Sequence, residues 1–154
     1  MALLGPVPPH GLGSSVLALA TRDPPLFFAL NTMQLSNGAS GEAMRGVRDY
    51  LFSRSVTEAD AWRHLVRMQR ESARALADLA WPQDLWIKAS VGLPTRVLGA
   101  AHDAFFSPAM VQEAALFHGV EARIFPDMAH AMMLEPEWRN VATAIAEWLE
   151  TLSR

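Results

Sequence analysis

The sequence lacks cysteine, and this absence excludes several classes of chemistry at once. Disulfide frameworks, cysteine-ligated zinc sites and thiol nucleophiles all require that residue. An excess of positive charge is also missing, because 13 lysine and arginine residues face 16 aspartate and glutamate residues and give a formal net charge of −3. Proteins that bind nucleic acids carry a basic patch, so we expect no nucleic-acid partner.

Long apolar runs are missing as well, and we expect no targeting leader. The longest apolar-rich stretch, 16–20, is far shorter than the roughly 20 residues that a membrane helix requires. The residues before Pro6 contain no positive charge and no apolar run of useful length, so we expect no signal peptide and a cytoplasmic location. The 5 histidines do not recur at the spacings of metal ligands, and neither a metal nor another cofactor is predicted.

What the sequence does contain is enough apolar material for a folded core. Hydrophobic residues make up 51% of the 154 positions and charged residues 19%, a balance that disordered chains do not show. A single unit of this length buries roughly 70% of the surface that its unfolded chain exposes. We therefore expect one small folded domain.

Strand and helix signals alternate along the second half of the chain. Strand-like runs at 96–100 and 120–125 flank a helix with clear boundaries. Ser107 is its predicted N-cap, Pro108 occupies its first position and Gly119 follows its end. A parallel βαβ unit is the simplest interpretation, and a further helix is predicted from about Pro136.

The first half of the chain is predicted to be mainly helical after a short strand at 3–7. Asp23-Pro24 marks one helix start. The segment 57–60 resembles a capping box and is predicted to open the longest helix, which would run to about Leu79. Four arginines would then form a basic stripe on one face, which we interpret as a solvated surface: Arg63, Arg67, Arg70 and Arg74.

Two polar sites directly follow the two later strands. Asp103 comes after the strand at 96–100, and His130 comes after the strand at 120–125. Because parallel strands present their carboxyl ends at the same edge of a sheet, we expect these two side chains to meet there. Such a carboxylate holds the imidazole in one tautomer and stabilises the imidazolium. On spacing alone, a turn-capping Asp103 and a structural His130 remain the alternative.

These segments resemble the C-terminal part of an α/β-hydrolase. In that family the acid follows the penultimate strand, the histidine follows the last strand, and an amphipathic helix ends the chain, as 98–103 and 126–138 do here. The segment 6–11 is similar to the strand end from which many members launch a helical cap. The resemblance implies an α/β fold with a partial sheet of about three parallel strands and a cap insertion. It divides the chain into a core strand (1–10), a helical cap (11–90) and a C-terminal core segment (91–154).

The resemblance also implies a function and a set of site residues. His130 would be the base and Asp103 its orienting acid in the hydrolysis of a small apolar ester or acyl substrate. Side chains near this pair in sequence are candidates for contacting the substrate, although ordinary core packing is an alternative for them. His10 is a further candidate; its His-Gly dipeptide is similar to a lipase motif, but its place after Pro8-Pro9 resembles the entry to the cap instead. The candidate substrate-binding residues are Phe105, Phe106, Met132 and His10.

The nucleophile elbow of that family, G-x-S-x-G, does not occur in this chain. The stretch 13–17 comes nearest, but Leu17 stands where a small residue normally permits close packing. Ser14 or Ser15 is therefore interpreted as a helix cap, with Ser15 as nucleophile the alternative. We therefore expect the serine to lie outside this chain. The alternative is a non-catalytic binding module that retains the hydrolase scaffold. A sheet of so few strands also leaves open edges through which the chain could self-associate.

Overall fold

A three-stranded parallel sheet forms the centre of the computed structural model, which describes residues 1–35, 41–69, 71–80 and 92–153. The strands are β1 (Ala2–Leu4), β2 (Arg96–Ala100) and β3 (Ala122–Phe125), in the spatial order β1-β2-β3. Leu3 of β1 and Ala122 of β3 both align with Val97 of β2. The predicted α/β class with three parallel strands is confirmed.

The helical segment between β1 and β2 contains five helices in the part of the chain that the structure describes. Three of them begin at side-chain caps. Asp23 accepts a hydrogen bond from the Leu26 amide (3.0 Å), Thr57 accepts one from the Asp60 amide (3.1 Å), and Ser72 accepts one from the Ala75 amide (3.3 Å). The bounds are α1 (Gly13–Arg22), α2 (Pro24–Leu35), α3 (Gly41–Leu51), α4 (Glu58–Leu65) and α5 (Ala73–Ala80).

The predicted long helix from 57 to about 79 is wrong, because the chain forms two helices there. The first, α4, ends at Leu65, and α5 begins at Ala73. Ser72 accounts for the restart, since its hydroxyl accepts a hydrogen bond from the Ala75 amide (3.3 Å) and so caps the second helix.

The predicted basic stripe does not lie on one helical face, because the helix that would carry it is interrupted. Arg63 pairs with Asp60 within α4, whereas Arg74 lies 3.8 Å from Asp78 within α5. Arg70 lies outside the described residues. Both pairs are exposed and hold the two arginines on separate helices.

The C-terminal half follows the predicted boundaries closely. Its elements after β2 are α6 (Pro108–Phe117), a short 3₁₀ helix (Met132–Leu134) and α7 (Trp138–Leu152). The Ser107 hydroxyl accepts a hydrogen bond from the Met110 amide (3.4 Å) at the start of α6. Gly119 adopts a φ of 67° after its end, a conformation that glycine reaches without a steric penalty.

The sheet is covered on both faces by apolar side chains. Val97 and Leu98 are adjacent in β2, fully buried and directed to opposite faces, as strand geometry requires. Val97 packs with Val111 of α6, and Leu98 packs with Val141 of α7. A third cluster occupies the helical segment and includes Ala131, which follows β3. The helical segment thus packs against the loop that carries His130.

Part of α7 is not covered by the rest of the described chain. Val141 and Ala144 face the sheet and are buried, but three large apolar side chains of this helix are exposed: Trp138, Leu149 and Leu152. Within the described ranges, no helix combines the length and apolar character needed to cross a bilayer.

Candidate active site

The loops after β2 and β3 are held together by hydrogen bonds that continue beyond the strand ends. The Ala101 amide donates to the Phe125 carbonyl (2.9 Å), and the His102 amide donates to the Met128 carbonyl (2.9 Å). This pairing brings the next residues of each loop to the same edge of the sheet. As a result, Nδ1 of His130 lies 2.9 Å from Oδ2 of Asp103.

The Asp103 carboxylate is buried and held at both oxygens. Its side chain has no exposed surface, and Oδ1 accepts hydrogen bonds from the amides of Phe105 (2.8 Å) and Phe106 (2.9 Å). Oδ2 is left to face His130. Asp103 therefore caps a turn and also orients the imidazole, so the two interpretations made from the sequence are compatible.

Gly5 lies close to this carboxylate. Its φ of +50° is one that other residues rarely adopt, and a Cβ there would lie 3.5 Å from Oδ2 of Asp103. The end of β1 therefore contributes to the enclosure of the acid.

His130 combines a buried partner on one ring nitrogen with partial exposure of the ring. Its side chain is 31% exposed, whereas that of Asp103 is 0% exposed. Because the carboxylate can only accept, the neutral imidazole carries its proton on Nδ1, and Nε2 keeps a lone pair. This is the tautomer that a general base requires.

Two of the candidate substrate-binding residues lie beside the imidazole. The ring centroid of Phe105 is 4.9 Å from that of His130 in an edge-on arrangement, and that of Phe106 is 5.5 Å away. Phe106 is buried against α6, but Phe105 also approaches Tyr50 of the helical segment (6.5 Å). Their contact with a substrate stays a prediction.

The other two candidates lie elsewhere. Met132 is fully buried in the cluster between the sheet and α7. His10 is on the surface, with Nδ1 3.1 Å from Oε1 of Glu113 and Nε2 3.0 Å from Oγ of Ser14. Met132 contacts His130 through its backbone alone, since its amide donates to the His130 carbonyl (3.0 Å), and the ring of His10 pairs with other residues. The roles of both side chains in binding a substrate stay predictions.

No serine hydroxyl of the described ranges is hydrogen-bonded to His130. Ser15 donates instead to Sδ of Met110 (3.8 Å), and Ser14 pairs with His10. The predicted capping role of these serines is wrong, because α1 begins at Gly13 without a side-chain cap and contains both of them. Metal ligands were not predicted, and the described residues contain no group of three acidic, histidine or cysteine side chains that could hold a metal ion.

Glu135 was not singled out from the sequence, yet it is 1% exposed and lies directly beside the His130 loop. Its carboxylate accepts a hydrogen bond from the amide of Ala129, the residue before His130. The sequence offers one signal for it: Glu135 is the only acidic or basic residue, histidine aside, in the otherwise apolar stretch between Met128 and Pro136.

Tyr50 and Asp23 form a second polar contact, within the helical segment. The Tyr50 hydroxyl donates to Asp23, and this bond, together with the Leu26 amide, holds the pKa of Asp23 below its ordinary value of 3.8. The same bond, followed by burial, raises the pKa of Tyr50 above its ordinary 10.0. Tyr50 is therefore protonated and oriented beside Phe105 at neutral pH.

Tyr50→Phe is expected to weaken the pH dependence of stability in acid. A carboxylate with a lowered pKa in the folded state stabilises the fold above pH 3.8 and loses that contribution as the pH falls through its folded-state value. The variant removes the largest cause of the lowering. Urea unfolding at pH 6 and pH 3 measures the effect, with Asp49→Asn as an exposed control. An unchanged difference between the two pH values would contradict the expectation.

No protein-family model and no curated protein sequence matches this chain. Among solved structures, the chain is similar to a thermophilic esterase from Thermogutta terrifontis with malate bound, at a TM-score of 0.64 and 18% sequence identity. The likeness covers 97% of this chain and 55% of the esterase chain. It shows the fold: an α/β architecture that corresponds to part of the α/β-hydrolase fold. This chain therefore spans little more than half the length of that esterase.

Proposed function

We propose that this chain is the C-terminal portion of an α/β-hydrolase that cleaves an ester or related acyl bond. Asp103 and His130 supply the acid and the base, and a serine outside this chain supplies the nucleophile. The observation that carries the proposal is the pair itself. A buried carboxylate, held at one oxygen by two amides, presents its other oxygen to Nδ1 of a partly exposed histidine.

Each step of the reaction uses this pair. Nε2 of His130 takes the serine proton as the serine oxygen attacks the acyl carbon, and the resulting imidazolium is stabilised by Asp103. The imidazolium then gives its proton to the leaving alkoxide, which leaves an acyl-serine ester. Water attacks this ester while Nε2 takes its proton, and the imidazolium returns that proton to the serine oxygen as the acid product leaves.

Three observations support a nucleophile outside this chain. The esterase has 45% of its length without a counterpart here, since the likeness covers 55% of it. In the described sheet, β1 pairs with β2 along one side only. The exposed apolar side chains of α7 would also be covered by further polypeptide. A further parallel strand could pair with the free side of β1. A serine at its carboxyl end would then lie at the same end of the sheet as Asp103 and His130.

The helical segment is proposed to act as a cap over this edge. Tyr50 and Phe105 approach each other between the segment and the pair, and the Ala131 amide donates to the Leu51 carbonyl (2.9 Å). An apolar acyl group would fit beside these rings better than a charged one. A small apolar ester therefore remains the proposed substrate. The cytoplasm remains the proposed location, on the basis of the sequence alone.

A non-catalytic binding module is the second candidate. It is favoured by one observation, namely that within the described ranges no serine hydroxyl bonds to His130. Such a module would keep the scaffold and the apolar surfaces for association with another chain or a second copy, without turnover.

Labelling with a fluorophosphonate, read by mass spectrometry, tests the proposal. The purified chain is expected to stay unlabelled, whereas a form extended upstream of Met1 is expected to be labelled at a serine in the extension. His130→Ala should abolish that labelling, because the serine then lacks its base.

One control variant and one outcome separate the alternatives. Ser15→Ala should leave the labelling of the extended form unchanged, and labelling of Ser15 in the chain itself would contradict an outside serine. An extended form that folds but is not labelled would favour the binding module.

A further inference from the structure

The carboxylate of Glu135 is buried between two loops from different parts of the chain. Oε1 accepts hydrogen bonds from the amides of Ser53 (2.8 Å) and Ala129 (3.1 Å). Oε2 accepts from the hydroxyls of Ser53 (2.6 Å) and Ser55 (3.5 Å). Ser53 and Ser55 follow the end of α3, whereas Ala129 directly precedes His130. One side chain therefore joins the helical segment to the histidine loop.

Burying this carboxylate is costly unless its oxygens are well satisfied. An unpaired buried charge costs several kcal/mol, and hydrogen bonds to the ionised form offset that cost. Four donors converge on Glu135, two of them on each oxygen. An apolar residue here would leave these donors unpaired. The arrangement thus commits the two loops to one relative position.

His130 is tied to the helical segment on both sides. Before it, the Ala129 amide is held by Glu135, which also holds Ser53. After it, the Ala131 amide donates to the Leu51 carbonyl (2.9 Å). The backbone of His130 therefore cannot shift without breaking the bond to Glu135 or the bond to Leu51.

We propose that Glu135 is a positioning residue that locks the His130 loop to the end of α3 and so keeps Nδ1 of His130 on Asp103. The catalytic consequence rests on the proposed function, but the positioning itself is a property of this chain. It makes the placement of the general base depend on the placement of the helical segment.

The test compares Glu135→Ala with Glu135→Gln and with the exposed control Glu137→Gln in the full chain. Nitrogen-15 NMR of His130 reports which ring nitrogen carries the proton. Hydrogen exchange of the Ala129 and Ser53 amides reports local opening. The Val111 amide, which donates to Ser107 (3.1 Å) at the start of α6, is the internal reference.

Glu135→Ala is expected to give a mixture of His130 tautomers and exchange of the Ala129 amide about tenfold faster, the size of effect that loss of one buried hydrogen bond produces. The Val111 amide should be unaffected. Glu135→Gln should restore most of both signals, because its amide oxygen can still accept from Ser53 and Ala129. Glu137→Gln should match the unsubstituted chain.

A folded Glu135→Ala protein with one Nδ1-protonated tautomer and unchanged exchange at Ala129 would overturn the proposal. Equal acceleration at Val111 would do the same, because it indicates general destabilisation. If Glu135→Ala does not fold, Ser53→Ala removes one of the two donors to Oε2 of Glu135 (2.6 Å), together with the contacts of that hydroxyl with Ser55, and changes no residue of the histidine loop. Faster exchange confined to Ala129 in that variant supports the proposal, and no change there overturns it.

The outcome is distinguishable from that of the labelling experiment. Tautomer and exchange are read on this chain without a serine or a substrate. If the chain shows the positioning effect but the extended form is not labelled, the role of Glu135 is supported and the hydrolase proposal is contradicted. If the extended form is labelled but the chain shows no positioning effect, only the hydrolase proposal is supported.

Discussion

Asp103→Asn is expected to move the proton of neutral His130 from Nδ1 to Nε2. In a form of the protein that supplies the serine, it should also reduce turnover about 10⁴-fold, the effect of the equivalent change in serine proteases. The reason is the orientation of the new amide. Its oxygen must replace Oδ1, which accepts from the amides of Phe105 and Phe106, because an NH₂ group there would face two donors.

The amide NH₂ group therefore faces Nδ1 of His130, which has to accept a hydrogen bond instead of donating one. The lone pair needed for proton abstraction is then on the wrong nitrogen. Folding should be nearly unaffected, since the turn after β2 keeps its acceptor at Oδ1.

Nitrogen-15 NMR of the chain measures the tautomer, and ester hydrolysis by the extended form measures turnover. Glu113→Gln serves as the matched control, because that carboxylate also pairs with a histidine but lies on the exposed surface at His10. A protein with Asp103→Asn that keeps the Nδ1-protonated tautomer, or that retains turnover, would remove Asp103 from the role of orienting acid.

Gly99→Ala is expected to destabilise the fold by about 1–3 kcal/mol, the usual cost of overpacking. A Cβ at this position in the central strand would lie 2.8 Å and 2.9 Å from the two methyl groups of Val111 and 3.0 Å from Cδ1 of Ile124. Val111 is fully buried and β-branched, and its side chain in α6 has one strongly preferred rotamer. It cannot turn away, so α6 has to move off the sheet.

The double variant Gly99→Ala, Val111→Ala tests this cause. Removing the two methyl groups of Val111 makes room for the new Cβ, so the double variant should lose less stability than the sum of the two single variants. Urea unfolding supplies the free energies. Gly46→Ala is the matched control, because a Cβ there meets nothing within 4 Å and alanine favours the interior of α3. Equal stability of Gly99→Ala and the unsubstituted chain would contradict the packing argument.

The parts of the fold that could be predicted from the sequence are those with short-range signals. Ser107, Pro108 and Gly119 each act within one turn of α6, and the structure places all three as expected. The meeting of Asp103 and His130 could be predicted for a different reason, namely that the loops after two neighbouring parallel strands lie at the same end of the sheet.

The parts that could not be predicted depend on contacts between distant segments. The interruption between α4 and α5 contains no glycine or proline, so the local pattern of 66–72 is compatible with a continuous helix. The pairing of Glu135 with Ser53 joins residues 82 positions apart. Neither the glutamate nor the serine predicts the other as its partner. Carboxylates are rarely buried, so the sequence favours an exposed Glu135.

The parallel pairing of β1 with β2 has a consequence for the order in which the chain folds. Ala2 aligns with Arg96, so this contact closes a loop that contains the whole helical segment, whereas β2, α6 and β3 follow one another directly. Contacts between distant residues form more slowly than local ones, because the entropy of loop closure opposes them. We expect the βαβ unit to form before β1 joins it. Asp103 lies within that early unit and His130 in the loop that follows it, so the polar pair does not depend on the late arrival of β1.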